Sequence, residues 1–319
     1  MTSKIPNWDD LASALSEQRL FSAKFFDSEE LTLQQKQEML KTFVLSLHAE
    51  VTGIVEAVNY KDHRKQQHPV DVQKILYKSV DAYRYVLAIL NLWNIDADTF
   101  AAALEQKDDY LHFRHRLLAK QMLPGQKVVL FDLDDVIAEF RTSFCDFATR
   151  QIGTFVDPKS DEYYNLRTFK QQGADAEKVF RNFIDSHGFL GLGVNKTYSR
   201  LLEELRNEGR WIQVVTARPI DNLTCFYDTY SWLSRLGIEV DGVTFTPEKF
   251  RWVSEQPFYD KHEIIAVDDS AKHAAEYAKH GIRVVVPQQS YNGEVAGLDN
   301  VIYVESGFDP YVAIQMAGI

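Results

Sequence analysis

From residue 123 onward, short runs of apolar, mostly β-branched residues alternate with amphipathic helical segments, and that alternation leaves few folds open. "VVLFDL" begins at residue 128. "WIQVVTA" (211–217) follows the helical "YSRLLEELRNEG", "EIIAVDD" (263–269) precedes the helical "SAKHAAEYAKHG", and "IRVVVP" (282–287) comes next. A strand wet on one face alternates apolar with polar residues, whereas a wholly apolar strand is covered on both faces, as in a parallel sheet flanked by helices. The change of character falls at "LPGQK" (123–127), where proline and glycine break a helix. We therefore expect an α/β domain over 123–319, built on a Rossmann-like parallel sheet. The interval 141–195 lacks such strands and is rich in aromatics: Phe144, Phe147, Phe155, Tyr163, Tyr164, Phe169, Phe180 and Phe183. It reads as a mostly helical insertion, a cap lying over the sheet.

Residues 1–122 read as an all-α domain. Leu40, Phe43, Val44, Leu47, Val51, Ile54 and Val55 recur at three- and four-residue steps, and Ile75, Leu76, Val80, Tyr83, Val86, Leu87 and Leu90 repeat the pattern. The polar stretch "NYKDHRKQQHP" (59–69) between them is a loop. Such stripes bury against other helices, so a small bundle is expected, with part of the stripe packing on a second subunit in a homodimer.

Length and charge narrow the function classes. A chain of 319 residues suggests two domains. A formal net charge of -11 disfavours non-specific contact with nucleic acid or an anionic membrane. Cys145 and Cys225 have neither CxxC spacing nor a disulfide framework around them. The first residues lack a signal-peptide apolar core, and no segment reaches the roughly 18–20 apolar residues of a membrane span. A cytoplasmic location is the expectation.

Three strand ends carry polar chemistry: "LFDLDDV", "VVTARP" and "AVDDS". In open parallel sheets, ligands bind beyond the carboxyl ends of the strands. Carboxylates as crowded as Asp132, Asp134 and Asp135 repel one another unless a cation compensates, and Mg²⁺, a hard ion with oxygen ligands, is the simplest one. Asp268 and Asp269 would complete its site. The spacing Asp132-x-Asp134 adds a second possibility, a nucleophile beside a general acid/base. Thr216, Arg218 and Lys249 are placed in sequence to hold the oxygens of a transferring phosphoryl group. Residues 246–255 begin like a helix, with Thr246 as N-cap, Pro247 at the first position and Lys249 in the first turn.

These elements, in order over residues 127–292, resemble the four motifs of the haloacid-dehalogenase-like (HAD) phosphatase superfamily: "FDLDDV", "VVTAR", a lysine opening a helix, and "IIAVDDS". "FDLDDVIAEF", "TARP" and "SYN" (290–292) are most similar to the 5'(3')-deoxyribonucleotidases, while the spacing from Lys249 to "VDD" equally resembles the 3'-phosphatase domain of phage polynucleotide kinase. The resemblance implies an aspartyl-phosphate formed on Asp132, with Asp134 protonating the leaving alcohol and then activating water. It also implies phosphate contacts from Thr216 and Lys249, with Lys261 as the rival lysine. Mg²⁺ would be held by Asp132, Asp268 and the Asp134 main-chain carbonyl, with Asp269 acting behind them or as an alternative ligand. The family carries glycine where this chain has Asp135, which adds negative charge near the phosphate and bears on substrate choice. The substrate is then a phosphate monoester, most simply a nucleotide; the alternatives are a polynucleotide 3' end or a non-catalytic nucleotide-binding protein.

In the helical half, "LHAEVTGIVEAVNYKDHR" and "YKSVDAYRYVLAI" resemble the metal-binding helices of the MazG and dimeric dUTPase group. That group's carboxylate positions correspond here to Glu50, Gly53, Lys78 and Asp81. Two carboxylates are missing, so the resemblance implies a degenerate, MazG-like fold without the activity.

Overall fold

The computed structural model describes residues 8–58, 69–160, 166–259 and 264–316. Residues 59–68 of the expected loop, Tyr163, Tyr164 and Lys261 lie outside the described residues. The chain forms two compact units, 1–105 and 106–319.

The first unit is helical: α1 (Trp8–Ser22), α2 (Leu33–Glu56), α3 (Val72–Leu92) and the start of α4 (Ala97–Leu118). Thr32 and Gln35 close a capping box at the head of α2, each side chain accepting a hydrogen bond from the other's backbone N–H. Leu15, Leu87 and Leu90 form its core with Leu11, Val86, Ile95 and Phe100 packed around them. The apolar stripes are not wholly buried. Val44, Val51 and Val55 on α2 and Leu76, Val80 and Tyr83 on α3 are exposed, because α1 covers only part of the α2–α3 hairpin. Glu50 pairs with Lys78 at 2.7 Å, and a Cβ on Gly53 would lie 3.0 Å from Lys78 Cδ. The missing side chain at 53 thus leaves the channel through which the lysine stem reaches Glu50.

The second unit opens within α4, whereas the sequence places the break at 122/123. Tyr110 lies 4.9 Å, centroid to centroid, from Tyr230, and Gln106 donates to Asp228 at 2.9 Å, so residues after 105 pack with the α/β unit. Six strands follow: β1 (Val128–Phe131), β2 (Trp211–Thr216), β3 (Gly242–Phe245), β4 (Ile264–Val267), β5 (Arg283–Pro287) and β6 (Val301–Val304). All pair in parallel, in the order β3-β2-β1-β4-β5-β6. Side chains of successive strand residues point to opposite faces. Val129, Phe131, Val214, Ile265 and Val267 accordingly enter one core, and Val128, Leu130, Val215, Ile264 and Ala266 the other. That double burial is what the wholly apolar runs encoded.

Between β1 and β2 lie α5 (Phe140–Ile152), α6 (Leu166–Gln171), α7 (Ala176–Asp185) and α8 (Lys196–Asn207), so the insertion is helical as expected. Phe155 is exposed and stands outside its aromatic core. Helices α9 (Leu223–Arg235), α10 (Lys249–Ser254), α11 (Ala271–Lys279) and α12 (Pro310–Met316) complete the unit. Helix α10 starts later than the sequence suggested. Thr246 donates its N–H to the Thr216 carbonyl at 2.7 Å and its Oγ1 accepts from Glu248 N at 3.1 Å, so it closes a turn, and Lys249 becomes the first helical residue. No helix among the described residues is long and apolar enough to cross a membrane.

Candidate active site

The strand order reverses between β1 and β4, and at such a switch point a crevice opens beyond the strand ends. Asp132 follows β1 directly, its N–H donating to the Val267 carbonyl at 2.9 Å, as though the strand ran one residue further. The chain then turns sharply: the N–H groups of Ile137 and Ala138 both donate to the Leu133 carbonyl, at 2.9 and 2.7 Å. Asp134 and Asp135 ride on this turn. Asp135 has φ 56°, a left-handed conformation that favours glycine but that aspartate tolerates. Its Oδ1 accepts from Arg141 N at 2.8 Å, supplying the cap that Glu139, the residue preceding α5, does not. The extra carboxylate is therefore tied to the protein.

Each of the two leading aspartates is locked to a buried cation. Lys249, 1% exposed, stands between Asp132 Oδ1 and Asp268 Oδ2, 2.8 Å from each. Arg218 grips Asp134 through both carboxylate oxygens, with contacts of 2.6, 3.0 and 3.2 Å. The guanidinium also donates to Thr229 Oγ1 at 3.0 Å and lies 4.2 Å from the centroid of Phe189. Thr216 is fully buried, and its Oγ1 accepts from Arg218 N at 3.3 Å, so here the hydroxyl shapes the loop that carries the arginine. Asp269 and Asp268 follow β4; Ser270 N donates to Asp268 Oδ1 at 3.0 Å.

Oxygens of Asp132, Asp268 and Asp269 lie within 4.8 Å of one another. Asp134 is not part of that side-chain group, because its carboxylate faces Arg218. The one ammonium beside these three carboxylates pairs with Asp132 and Asp268 and leaves Asp269 without a charged partner among the described residues, and the electrostatics record the deficit. Burial, only partly offset by Lys249, pushes Asp132 up to about 6. Burial and the neighbouring Asp132 and Asp135 hold Asp269 well above the ordinary carboxylate range. Burial acts on Asp268 too, but Lys249 and then His273 outweigh it and keep that carboxyl below its usual value. Asp135 rises to about 7, chiefly by burial. A hard divalent cation is what this oxygen-only set lacks, so the residues fit Mg²⁺.

A cavity of about 480 Å³ opens over these groups. Asp132, Asp134, Arg218 and Lys249 line its floor; Phe140, Phe144, Phe169, Phe180 and Phe189 form its walls. Phe140 stacks nearly parallel on both Phe144 and Phe189, with centroids 5.5 and 5.7 Å apart. The structure thus brings Asp132, Asp134, Arg218, Lys249 and Asp269 to one cavity, with Asp268 behind Lys249 and Thr216 below the surface. Sequence reasoning missed His273, which also lines the cavity with Nδ1 3.7 Å from Asp268 Oδ2; its only signal was a place in the first turn after the "VDDS" strand end.

No family model matches the chain, and no curated protein matches it in sequence. Among solved structures it is similar to a HAD family hydrolase from Deinococcus radiodurans R1 with bound phosphate and sodium, with 13% identity over 60% of this chain and 96% of that one at a TM-score of 0.45. It is also similar to a Clostridium difficile protein named as a phosphatase (15%, 62% and 100%, TM-score 0.44) and to CbbY from Rhodobacter sphaeroides in complex with phosphate (15%, 55% and 92%, TM-score 0.40).

Proposed function

We propose that this protein is a Mg²⁺-dependent phosphatase that hydrolyses a phosphate monoester of a nucleotide through an aspartyl-phosphate. One observation carries the reading: two carboxylates at the switch point, each paired with its own buried cation, face one cavity. A structural ion pair needs neither the cavity nor the doubled arrangement. Asp132 is the nucleophile: its carboxylate oxygen forms a bond to phosphorus as the bond to the leaving oxygen breaks. Asp134 gives that oxygen its proton, then takes one from the water that attacks the acyl phosphate and releases inorganic phosphate. Arg218 occupies both carboxylate oxygens of Asp134, so the guanidinium must turn toward the entering phosphoryl group before Asp134 can reach the leaving oxygen. Lys249 and Arg218 offset charge on the phosphoryl oxygens, and Thr216 keeps the Arg218 loop in place. Asp132, Asp268 and Asp269, with the Asp134 carbonyl, would hold Mg²⁺, which when bound supplies further charge neutralisation at the phosphoryl group.

The phenylalanine walls support a nucleotide, since a flat base packs well against such rings. The helical unit is proposed to join two copies of the chain. Val44, Val51, Val55, Leu76, Val80 and Tyr83 are exposed apolar residues on two helices packed together, a face that a second copy would cover, and light scattering of Val80→Glu against wild type tests this.

The function is tested by phosphate release with Mg²⁺, wild type against Asp132→Asn, over nucleoside 5'- and 3'-monophosphates, dUTP and a 3'-phosphorylated oligonucleotide. Release from a monophosphate that vanishes in the variant is expected. Release from the oligonucleotide alone would make the protein an end-processing phosphatase. Tight nucleotide binding without turnover by either protein would overturn the enzyme reading.

A further inference from the structure

The "SYN" stretch at 290–292 follows β5 and takes no part in the chemistry above, yet its last two side chains close on the residue that ends the β4 loop. Asn292, fully buried, donates through Nδ2 to the Asp269 carbonyl at 2.8 Å and to the Pro287 carbonyl at 2.9 Å. Its Oδ1 accepts from Gln289 N at 2.9 Å and from the Tyr303 hydroxyl at 3.1 Å, so the amide cannot turn without losing four bonds. Tyr291 donates its hydroxyl to Asp269 Oδ2. Asp135 Oδ2 lies 3.4 Å from the same hydroxyl, which has one proton to give and gives it to the nearer carboxylate. One residue pair therefore fixes both ends of Asp269, its main chain and one carboxylate oxygen.

The tyrosine is itself anchored. The Arg141 guanidinium lies 4.5 Å from its ring centroid and donates to the Pro158 and Ser160 carbonyls at 2.7 and 2.6 Å, while Ser290 Oγ donates to that same Ser160 carbonyl at 2.6 Å. An unassisted Asp269 would have reason to swing away, because the carboxylates of Asp132 and Asp268 crowd it. With Oδ2 taken by the hydroxyl, Oδ1 carries no protein hydrogen bond among the described residues.

We infer that Tyr291 is a positioning residue for the cation site: by holding Asp269 Oδ2 it aims Oδ1 at the divalent ion shared with Asp132 and Asp268. The inference rests on the metal site of the proposed phosphatase. Groups that orient a metal ligand in this way are typically worth ~10–100-fold in metal affinity.

The test is calorimetric titration of the full chain with MgCl₂, for wild type, Tyr291→Phe, Asp269→Asn and the double variant, with thermal unfolding of each in EDTA. Tyr291→Phe is expected to bind Mg²⁺ ~10–100-fold more weakly while its unfolding temperature in EDTA stays near wild type. The double variant is expected to bind no more weakly than Asp269→Asn, because the hydroxyl acts through that carboxylate. Equal affinity in wild type and Tyr291→Phe would overturn the inference, as would a Tyr291→Phe protein that loses its fold in EDTA, since the hydroxyl would then be holding the loop. Absence of Mg²⁺ uptake by wild type would instead overturn the metal site itself.

Discussion

Replacing Asp132 by asparagine should make the metal-free protein more stable at neutral pH while ending catalysis. Asp132 stands at about 6 in the folded state, raised first by burial, with Lys249 opposing and Asp268 and Asp134 adding to the rise. In an unfolded chain an aspartate titrates near ~3.9. A carboxyl raised on folding costs nothing below the unfolded value; the cost grows as pH climbs between the two values and is complete above the folded one. A rise of roughly two pH units corresponds to about 3 kcal/mol at pH 7.5. Asparagine removes that cost and still offers Lys249 an oxygen, and Lys249 keeps Asp268 at 2.8 Å. For a unit of this size the gain amounts to roughly 6–12 °C in unfolding temperature. The assay is thermal unfolding of both proteins in EDTA at pH 7.5 and pH 4.5, where the advantage should shrink to about 1 kcal/mol. Excess Mg²⁺ should reverse the ranking at pH 7.5, because only wild type keeps the full ligand set. An asparagine variant no more stable than wild type in EDTA at pH 7.5 would refute the claim that the site is short of positive charge.

Three further outcomes follow from the same geometry. Arg218→Met strips Asp134 of its three contacts with the guanidinium; Asp134 keeps some solvent access, so the loss should be about 2–3 kcal/mol, less than for a fully buried pair, with phosphate release falling alongside it. Lys249→Met removes the ammonium that holds Asp268 below its usual value; wild type loses that contribution only as pH falls below ~3.9, so in urea unfolding the variant should gain more stability than wild type as pH drops from 7.5 to 5. Gly242→Ala would place a Cβ 2.0 Å from Oε1 of the buried Gln213, displacing its amide from Thr244 Oγ1; urea titration should report a loss of about 1–3 kcal/mol.

Much of the α/β unit was legible because β1, β2, β4 and β5 are short, apolar and bounded by helices, and local periodicity encodes such strands directly. The edge strands β3 and β6 were not, since "GVTF" and "VIYV" are half-buried and resemble ordinary loop-flanked apolar runs. The exposed stripe of the helical unit was foreseen as a pattern, but its exposure depends on what the other helices of that unit cover.

The sequence by itself determined that Asp132, Asp134, Thr216 and Asp268 sit at the carboxyl ends of parallel strands, because a strand's end is a local property of the chain. Only the tertiary structure decided who meets whom. Arg218 reaches Asp134 across 84 positions, Lys249 spans Asp132 and Asp268, and Tyr291 takes hold of Asp269 from the next loop. Those partnerships follow from the strand order β3-β2-β1-β4-β5, which lays five separate strand ends side by side. Strand order is set by long-range packing of the helices on the two faces, and no periodicity of 2 or 3.6 residues carries it.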